Sequence, residues 1–292
     1  MIPEGLFEKV RRIEIRTRKM SSGSMSGSWR SAFRGQGMEF LDVRQYSEGD
    51  DIRSIDWNVT ARVQEPFVRR YREERELTVF LAIDASGSGL FGSGGRLKKE
   101  ASIELSALLA FSAIHNNDRV GLIVFTDRIE LFVPPKKGRQ HVQRLVRDLL
   151  CCEPKGRGTD IGAALDYLGR VQTRKAVVFL VSDFIGKNFD KSFKLAARHH
   201  DLVALRVSDQ RETELPAAGL IELVDPETGT RTIADLSDPK LRAAFAKAAV
   251  QRQSGIVELC RSASSDLVNV NADGDCVEPL VKLFHKRELA VR

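Results

Sequence analysis

The stretch TVFLAIDASGS, residues 78–88, indicates both a fold class and the place of a site. It begins as a short apolar run, which ends at an aspartate and leads into a Ser-Gly-Ser turn. Three later stretches repeat the apolar run: VGLIVFT (120–126), AVVFLVSD (176–183) and LVALRVSD (202–209). Short strands that are apolar on both faces are typical of buried parallel sheets. We therefore expect these four stretches to be strands of one parallel sheet.

Segments in which apolar residues recur at helical spacing lie between and after these runs. They predict helices over residues 98–114, 142–150, 161–168, 238–260 and 277–284. Alternating strands and helices form right-handed βαβ units with a parallel sheet. The predicted fold class is therefore α/β, with a doubly wound, mostly parallel central sheet and helices on both faces. Residues 220–224 and 230–234 flank the turn-forming sequence DPETG and predict an additional β-hairpin.

The N-terminal part is charged and has no strand–helix alternation. Its stretch 38–76 nevertheless carries apolar residues such as Ile52 and Trp57, which would be costly to leave in water. We therefore expect this stretch to dock on the rest of the chain. The predicted organisation is an N-terminal segment of residues 1–76 packed on a main domain of residues 77–292.

Three smaller features belong to the same N-terminal part. Residues 5–19 predict a short helix, and the Ser- and Gly-rich residues 21–37 predict a loop. The arginine-rich run VRRYREER (68–75) has two interpretations of equal weight. It forms a solvated strand face, or it pairs with the acidic residues Asp50, Asp51 and Asp56.

Composition narrows the class of protein. The chain has 292 residues, of which 42% are hydrophobic and 29% are charged, a balance typical of globular proteins with a core. The net charge of +6 is mild and does not indicate nucleic acid as a partner. We expect no membrane span and no secretory signal. Two of the four cysteines are adjacent, at 151 and 152, and no CxxC motif occurs, so we expect free thiols in the cytoplasm.

The candidate site residues follow the predicted strands. Ligands of open parallel sheets bind at the carboxyl ends of the strands. Asp84, Ser86 and Ser88 follow the first strand, Asp183 follows the third, and Thr159 lies in a glycine-flanked loop before a helix. All five side chains offer hard oxygen donors, with no histidine or cysteine among them. Such a set suits Mg²⁺ or Mn²⁺, with Ca²⁺ as a further option, rather than zinc.

Three alternative interpretations compete with a metal site. Ser86 and Ser88 could be ordinary turn residues after a strand. Residues 87–92 spell G-x-G-x-x-G, but a dinucleotide fold would open its helix at this motif, and here further glycines prolong the loop. A metal-dependent phosphohydrolase with Asp84 as its nucleophile is the enzyme alternative. We disfavour it because the residue two positions on is Ser86 and not a second carboxylate.

The order Asp-x-Ser-x-Ser, a distant threonine and a later strand-end aspartate resembles the metal-ion-dependent adhesion site of von Willebrand factor type A domains. The resemblance covers residues 77–292 and implies a role for each position. It makes Ser86 and Ser88 direct ligands and Thr159 a ligand that switches between direct and water-mediated binding. It makes Asp84 and Asp183 anchors that act through water. No catalytic or cofactor-binding residue is implied.

The upstream signature is similar to the DUF58 family; it consists of G-x-G-M-E-F (35–40), R-x-Y-x-x-G-D-D-x-R-x-I-D-W (44–57), T-A-R (60–62) and E-E-R-E (73–76). Members of that family carry a type A domain directly after this signature and are often encoded beside AAA+ ATPases of the MoxR class. The resemblance implies a non-enzymatic adaptor or chaperone-like protein. Its expected partners are a MoxR-class ATPase and a client protein that the sequence does not specify.

Overall fold

The computed structural model describes residues 29, 32–33, 39–72 and 76–291, which form two compact units. The smaller unit lies between Arg34 and Leu77. The larger unit begins at Thr78 and also contains Trp29 and Phe33. The helix expected over residues 5–19 lies outside the described residues. The packing of residues 1–76 on a main domain of residues 77–292 stays a prediction.

The helices and strands follow the alternation expected from the sequence. The strands are β1 (Glu39–Gln45), β2 (Phe67–Arg72), β3 (Thr78–Asp84), β4 (Arg119–Phe125), β5 (Ile129–Lys136), β6 (Val177–Ser182), β7 (Asp201–Ser208), β8 (Leu220–Val224), β9 (Arg231–Asp235) and β10 (Asp266–Asn271). The helices are α1 (Trp57–Val63), α2 (Lys98–His115), α3 (Arg139–Leu150), α4 (Ile161–Val171), α5 (Asp190–His199), α6 (Pro239–Ser262) and α7 (Val277–Val291). No helix in the described part of the chain is both long and apolar enough to cross a membrane.

A six-stranded sheet in the order β10-β7-β6-β3-β4-β5 forms the centre of the larger unit. All neighbours in it are parallel except β4 and β5, which are antiparallel. The predicted α/β fold with a mostly parallel sheet is therefore confirmed. The hairpin expected around DPETG is also present, as the antiparallel pair β8 and β9.

The strand order reverses between β3 and β6, and this position determines where a ligand can bind. These two strands are neighbours, paired from Val79 with Val177 to Ile83 with Val181. The chain leaves β3 for β4 on one side and leaves β6 for β7 on the other. The loops after the two strands therefore diverge and open a crevice at the carboxyl edge of the sheet.

Trp29 lies in the core of the larger unit, although it precedes every strand of the sheet. Its side chain is fully buried, and its ring centroid is 4.9 Å from that of Phe33 and 5.4 Å from that of Phe284 on α7. The indole N–H donates to the carboxylate of Asp118 at 2.9 Å. The expected loop over residues 21–37 is wrong at Trp29 and Ala32, which are helical. Serine and glycine indicated a loop there, but the aromatic residues outweigh them by packing against the sheet.

The smaller unit consists of the antiparallel pair β1 and β2 and helix α1. The guanidinium of Arg69 lies 2.8 Å from the carboxylate of Asp56, which caps α1, so ion pairing holds for this member of the arginine-rich run. Ile52 and Trp57 are each 66% exposed, so the smaller unit does not cover them by itself. Two strands and one short helix have too little surface to bury every apolar side chain.

His200, between α5 and β7, is a buried histidine without a partner. It is 3% exposed, and neither ring nitrogen has a hydrogen-bond partner among the described residues. Burial, and then the charge of His199, lower the pKa of His200 to about 4. The imidazole is therefore neutral in the folded protein at neutral pH.

Candidate functional site

The predicted site residues lie at the crevice where the strand order reverses. Asp84 is the last residue of β3, and Asp183 directly follows the neighbouring strand β6. Ser86 precedes and Ser88 belongs to a 3-10 helical turn, Gly87–Leu90, that follows β3. The carboxyl ends of two adjacent parallel strands thus bring two carboxylates and two hydroxyl groups together, as the sequence predicted.

The loop after β3 holds its hydroxyl groups in a defined arrangement. One carboxylate oxygen of Asp84 accepts from the backbone N–H of Ser86 at 2.9 Å, and the other accepts from the hydroxyl of Ser182 at 2.6 Å. The hydroxyl oxygens of Ser86 and Ser88 lie 3.0 Å apart. Ser86 is buried, with only 3% of its surface exposed, yet its side chain caps no backbone N–H of its turn. Its hydroxyl thus contacts that of Ser88 and does not cap the turn.

Thr159 is brought to the same edge by a loop with several backbone anchors. The N–H of Gly87 donates to the carbonyl of Arg157 at 2.8 Å, which ties this loop to the Asp-x-Ser-x-Ser turn. The N–H of Gly156 donates to the carboxylate of Glu130 at 2.7 Å. The structure thus assembles all five predicted residues around one crevice. Whether they ligate a metal stays a prediction.

Lys98, the first residue of α2, is a site residue that the sequence did not reveal. Its ammonium group lies 2.7 Å from a carboxylate oxygen of Asp183 and also pairs with Glu212. The Lys98 side chain is 3% exposed, so this ion pair is buried. The one signal in the sequence is a lysine at the start of a helix that is otherwise apolar on nearly all sides.

The two carboxylates differ in their electrostatics. Burial, and then the negative charge of Asp183, raise the pKa of Asp84 to about 6, against smaller lowering effects of its hydrogen bonds. Burial also acts to raise the pKa of Asp183, but the charge and hydrogen bond of Lys98 lower it overall. Asp183 is therefore ionised at neutral pH, and a second buried negative charge beside it is unfavourable without a further cation.

Glu227, in the turn between β8 and β9, is the second residue that the sequence did not reveal. Its carboxylate accepts from the hydroxyl of Thr159 at 2.7 Å, and the nearby hydroxyl of Ser86 acts to lower its pKa. Burial is the largest cause that raises the pKa of Glu227, and the charge of Asp183 adds to it. No pattern marks this glutamate, because its approach depends on how the hairpin folds over the sheet edge.

The residues present fit a divalent cation that prefers oxygen. Hydroxyl and carboxylate oxygens converge, and the carboxylates of Asp84, Asp183 and Glu227 lie close enough together to affect one another's pKa. The oxygens of Asp84 and Asp183 already accept hydrogen bonds, which suits carboxylates that hold metal-bound waters. Within residues 29, 32–33, 39–72 and 76–291, no group of three or more His, Cys, Asp or Glu side chains could hold a metal. An ion at this edge would therefore depend on the hydroxyl groups.

The glycine motif of residues 87–92 serves packing within the protein. A Cβ atom at Gly87 would lie 2.4 Å from the carbonyl oxygen of Pro226, and one at Gly92 would lie 2.2 Å from that of Arg96. Backbone of the same chain thus fills the space that these glycines leave. Helix α2 begins only at Lys98, beyond the motif, so the geometry does not match a dinucleotide site.

Exposed apolar side chains flank the crevice on both of its loops. Leu90 and Phe91 follow the Asp-x-Ser-x-Ser turn and are 64% and 39% exposed, and Ile185, two residues after Asp183, is 42% exposed. Apolar residues beside a polar site are typical of surfaces that contact another protein.

Comparison with known sequences identifies relatives over almost the whole chain. A family model described as "Protein of unknown function DUF58" matches residues 42–255. The uncharacterized protein Rv1480 of Mycobacterium tuberculosis is 30% identical over 286 residues, which cover 97% of this chain and 90% of that protein. The uncharacterized protein YeaD of Bacillus subtilis is 23% identical over 176 residues, which cover 60% of this chain and 41% of that protein.

Comparison with solved structures finds similar chains of low sequence identity. The conserved hypothetical protein BatB of Bacteroides thetaiotaomicron is 19% identical, with a TM-score of 0.49, covering 72% of this chain and 98% of that chain. The VWA domain of SpRpn10 is 12% identical, with a TM-score of 0.42, covering 71% of this chain and 94% of that chain. The assignment of the fold rests on the strand order of the sheet itself.

Proposed function

The chain belongs to the DUF58 family, and we propose that it is a non-enzymatic protein-interaction module that binds a carboxylate of a partner through a divalent metal ion. The metal is Mg²⁺ or Mn²⁺, held by Ser86, Ser88 and Thr159 directly and by Asp84 and Asp183 through water. When bound, the ion supplies a positive charge to which an acidic side chain of a partner can bind.

The observation that carries the proposal is the pair of serine hydroxyl oxygens 3.0 Å apart in front of the Asp84 and Asp183 carboxylates. Neutral hydroxyl ligands do not cancel the charge of a divalent ion. Mg²⁺ also keeps waters in positions that the protein does not fill. A carboxylate of a partner can replace such a water, and its charge strengthens the interaction. The exposed Leu90, Phe91 and Ile185 then contact the partner around that bond.

The partners we propose are a MoxR-class AAA+ ATPase and a client protein, as the resemblance to the DUF58 family implies. The proposed compartment is the cytoplasm. All four cysteines are free thiols, and two of them, Cys260 and Cys276, are buried. This state of the thiols agrees with a reducing environment.

The phosphohydrolase alternative has less support. Each oxygen of Asp84 accepts a hydrogen bond from the protein, and no second carboxylate stands two positions on to act as general acid or base. Lys98 and Arg206 are buried basic groups beside the site carboxylates, and the ammonium of Lys98 is already paired with Asp183 and Glu212. A screen for turnover of generic phosphoesters with Mg²⁺ tests this alternative, and turnover that depends on Asp84 would establish it.

Calorimetric titration with Mn²⁺ tests the metal site. We expect wild type to bind one ion and Ser86→Ala to bind it at least about tenfold more weakly, since one direct ligand is lost. Ser208→Ala is the matched control, because Ser208 ends the strand β7 at the same edge of the sheet. Equal Mn²⁺ affinity of wild type and Ser86→Ala would contradict the ligand assignment.

Binding of the ATPase tests the docking function. We expect a complex between the full chain and the MoxR-class ATPase of the same source in Mg²⁺ and its loss in EDTA. Thr159→Ala should weaken that complex. A complex that survives both EDTA and Thr159→Ala at full strength would place the docking surface elsewhere.

A further inference from the structure

We propose that Glu227 is an internal ligand: it occupies the position at the site where a partner's carboxylate would bind, and it holds the β8–β9 hairpin over the crevice. This inference rests on the proposed function, because it concerns the same metal site. The inference adds a regulatory element to the proposed function, since an external carboxylate must displace Glu227 in order to bind.

The turn between β8 and β9 is built so that it presents Glu227 in a fixed direction. The Asp225 carboxylate accepts from the N–H of Glu227 at 2.9 Å and from the hydroxyl of Thr228 at 2.7 Å. The N–H of Gly229 donates to the carbonyl of Asp225 at 2.8 Å, and Gly229 has a φ of +72°, a conformation that glycine adopts without strain. These bonds give the turn a defined conformation. Between Glu222 and Ile233, all of which the structure describes, Glu227 is the one residue that is not exposed.

The hairpin approaches the site closely enough for Glu227 to act on it. The carbonyl of Pro226 lies where a Cβ atom of Gly87 would be, so the turn packs directly on the Asp-x-Ser-x-Ser loop. From that position Glu227 accepts from the hydroxyl of Thr159 at 2.7 Å and lies near the hydroxyl of Ser86. The carboxylate thus contacts one of the hydroxyl groups that we assign to the metal and lies beside a second.

The charges at the crevice determine whether the contact of Glu227 with the site is favourable. Glu227 brings a third carboxylate toward Asp84 and Asp183, where it meets repulsion from Asp183. Lys98 does not relieve that repulsion, because its ammonium is shared between Asp183 and Glu212. A divalent ion between the hydroxyl groups would turn the repulsion into attraction. It would also make Glu227 the anionic ligand that the hydroxyl groups do not supply.

Hydrogen exchange of residues 220–235 without metal tests whether Glu227 holds the hairpin. We expect roughly tenfold faster exchange at the turn in Glu227→Ala, because a hydrogen bond to a charged group is lost. Glu222→Ala is the matched control: Glu222 lies on β8 of the same hairpin, where it pairs only with the exposed Arg231 among the contacts described. Equal exchange in wild type and Glu227→Ala would overturn the proposal.

Competition with acetate tests whether Glu227 occupies the ligand position. The readout is the paramagnetic relaxation of acetate methyl protons by protein-bound Mn²⁺. In Glu227→Gln, which keeps an acceptor for Thr159 but has no charge, we expect acetate to bind at least about fivefold more tightly than in wild type. The variant Glu222→Gln should match wild type. Equal acetate binding in wild type and Glu227→Gln would overturn the internal ligand.

The hydrogen-exchange and acetate experiments together distinguish a failure of this inference from a failure of the proposed function. If wild type binds no Mn²⁺, the proposed function and the competition with acetate both fail. The exchange experiment contains no metal, so it still decides whether Glu227 holds the hairpin. If wild type binds Mn²⁺ and both comparisons at Glu227 show no difference, the metal site stands and the internal ligand is refuted.

Discussion

Replacement of Trp29 by alanine should destabilise the larger unit strongly, although Trp29 lies far from the sheet in sequence. Its side chain is fully buried, and a buried tryptophan removes about 200 Å² from water. At about 25 cal/mol per Å², this burial is worth roughly 5 kcal/mol. The extended-chain reference makes that figure an upper bound, and large-to-small core substitutions of this kind cost about 3–5 kcal/mol. We therefore expect Trp29→Ala to lower the free energy of unfolding by about 4 kcal/mol.

Trp57→Ala is the matched control, because Trp57 is the second of the two tryptophans and is 66% exposed. We expect its effect to stay within about 0.5 kcal/mol, as for most surface substitutions. Trp29→Phe separates packing from hydrogen bonding, since it keeps an aromatic ring but loses the N–H that donates to Asp118. Its expected cost is about 1–2 kcal/mol.

Urea unfolding followed by far-UV circular dichroism measures these differences. The signal reports mainly the larger unit, which contains all α-helices of the described residues except α1. A loss below about 1 kcal/mol for Trp29→Ala, or a loss for Trp57→Ala that equals it, would refute the reasoning. Either result would mean that the aromatic cluster is not part of the core.

Three further substitutions test other features of the larger unit. Because the pKa of His200 is about 4 in the folded protein and about 6.5 when unfolded, stability should fall as pH drops from 6.5 to 4, by at most about 1.4 kcal/mol per pH unit. His200→Leu should remove that slope in urea unfolding at several pH values, and an unchanged slope would assign it to other groups. Lys98→Met leaves the buried carboxylate of Asp183 and the part-buried one of Glu212 without their lysine partner and should cost about 3 kcal/mol in the same assay, against less than about 1 for the neighbouring Lys99→Met. Equal costs would contradict the buried ion pair. Gly87→Ala should push the β8–β9 turn away and speed its hydrogen exchange, because the added Cβ would meet the carbonyl of Pro226. Gly219→Ala, with open space around it, should not change the exchange. A turn that stays protected in Gly87→Ala would show that the close approach is absent.

Much of the larger unit could be predicted from the sequence, because its central strands are apolar runs buried on both faces. The edge strands β5 and β10 were not predicted, because neither is a continuous apolar run. β5 contains Pro134 and Pro135, which an edge strand tolerates because its outer N–H groups need no partner. β10 alternates apolar and polar residues, since an edge strand is only partly covered. The place of Trp29 in the core was not predicted, because the serine and glycine residues around it are typical of loops.

The placement of the candidate site residues also followed from the sequence. Asp84, Ser86, Ser88 and Asp183 stand directly after strands, and the topology of a parallel sheet brings strand ends together. The residues that approach from elsewhere could not be found in this way. Lys98 and Glu227 reach the crevice only through tertiary packing, and neither is marked by a spacing rule.

The cluster around Trp29 has a consequence for how the chain folds during synthesis. Trp29 precedes all strands of the six-stranded sheet, whereas Phe284 follows all of them, and the two rings touch in the finished core. Contacts of such large sequence separation form late, because the entropy of closing the intervening loop must be overcome first. A ribosome-bound chain that has not yet released α7 therefore carries an indole without its full set of neighbours. Such an intermediate exposes apolar surface that other nascent chains or chaperones can bind.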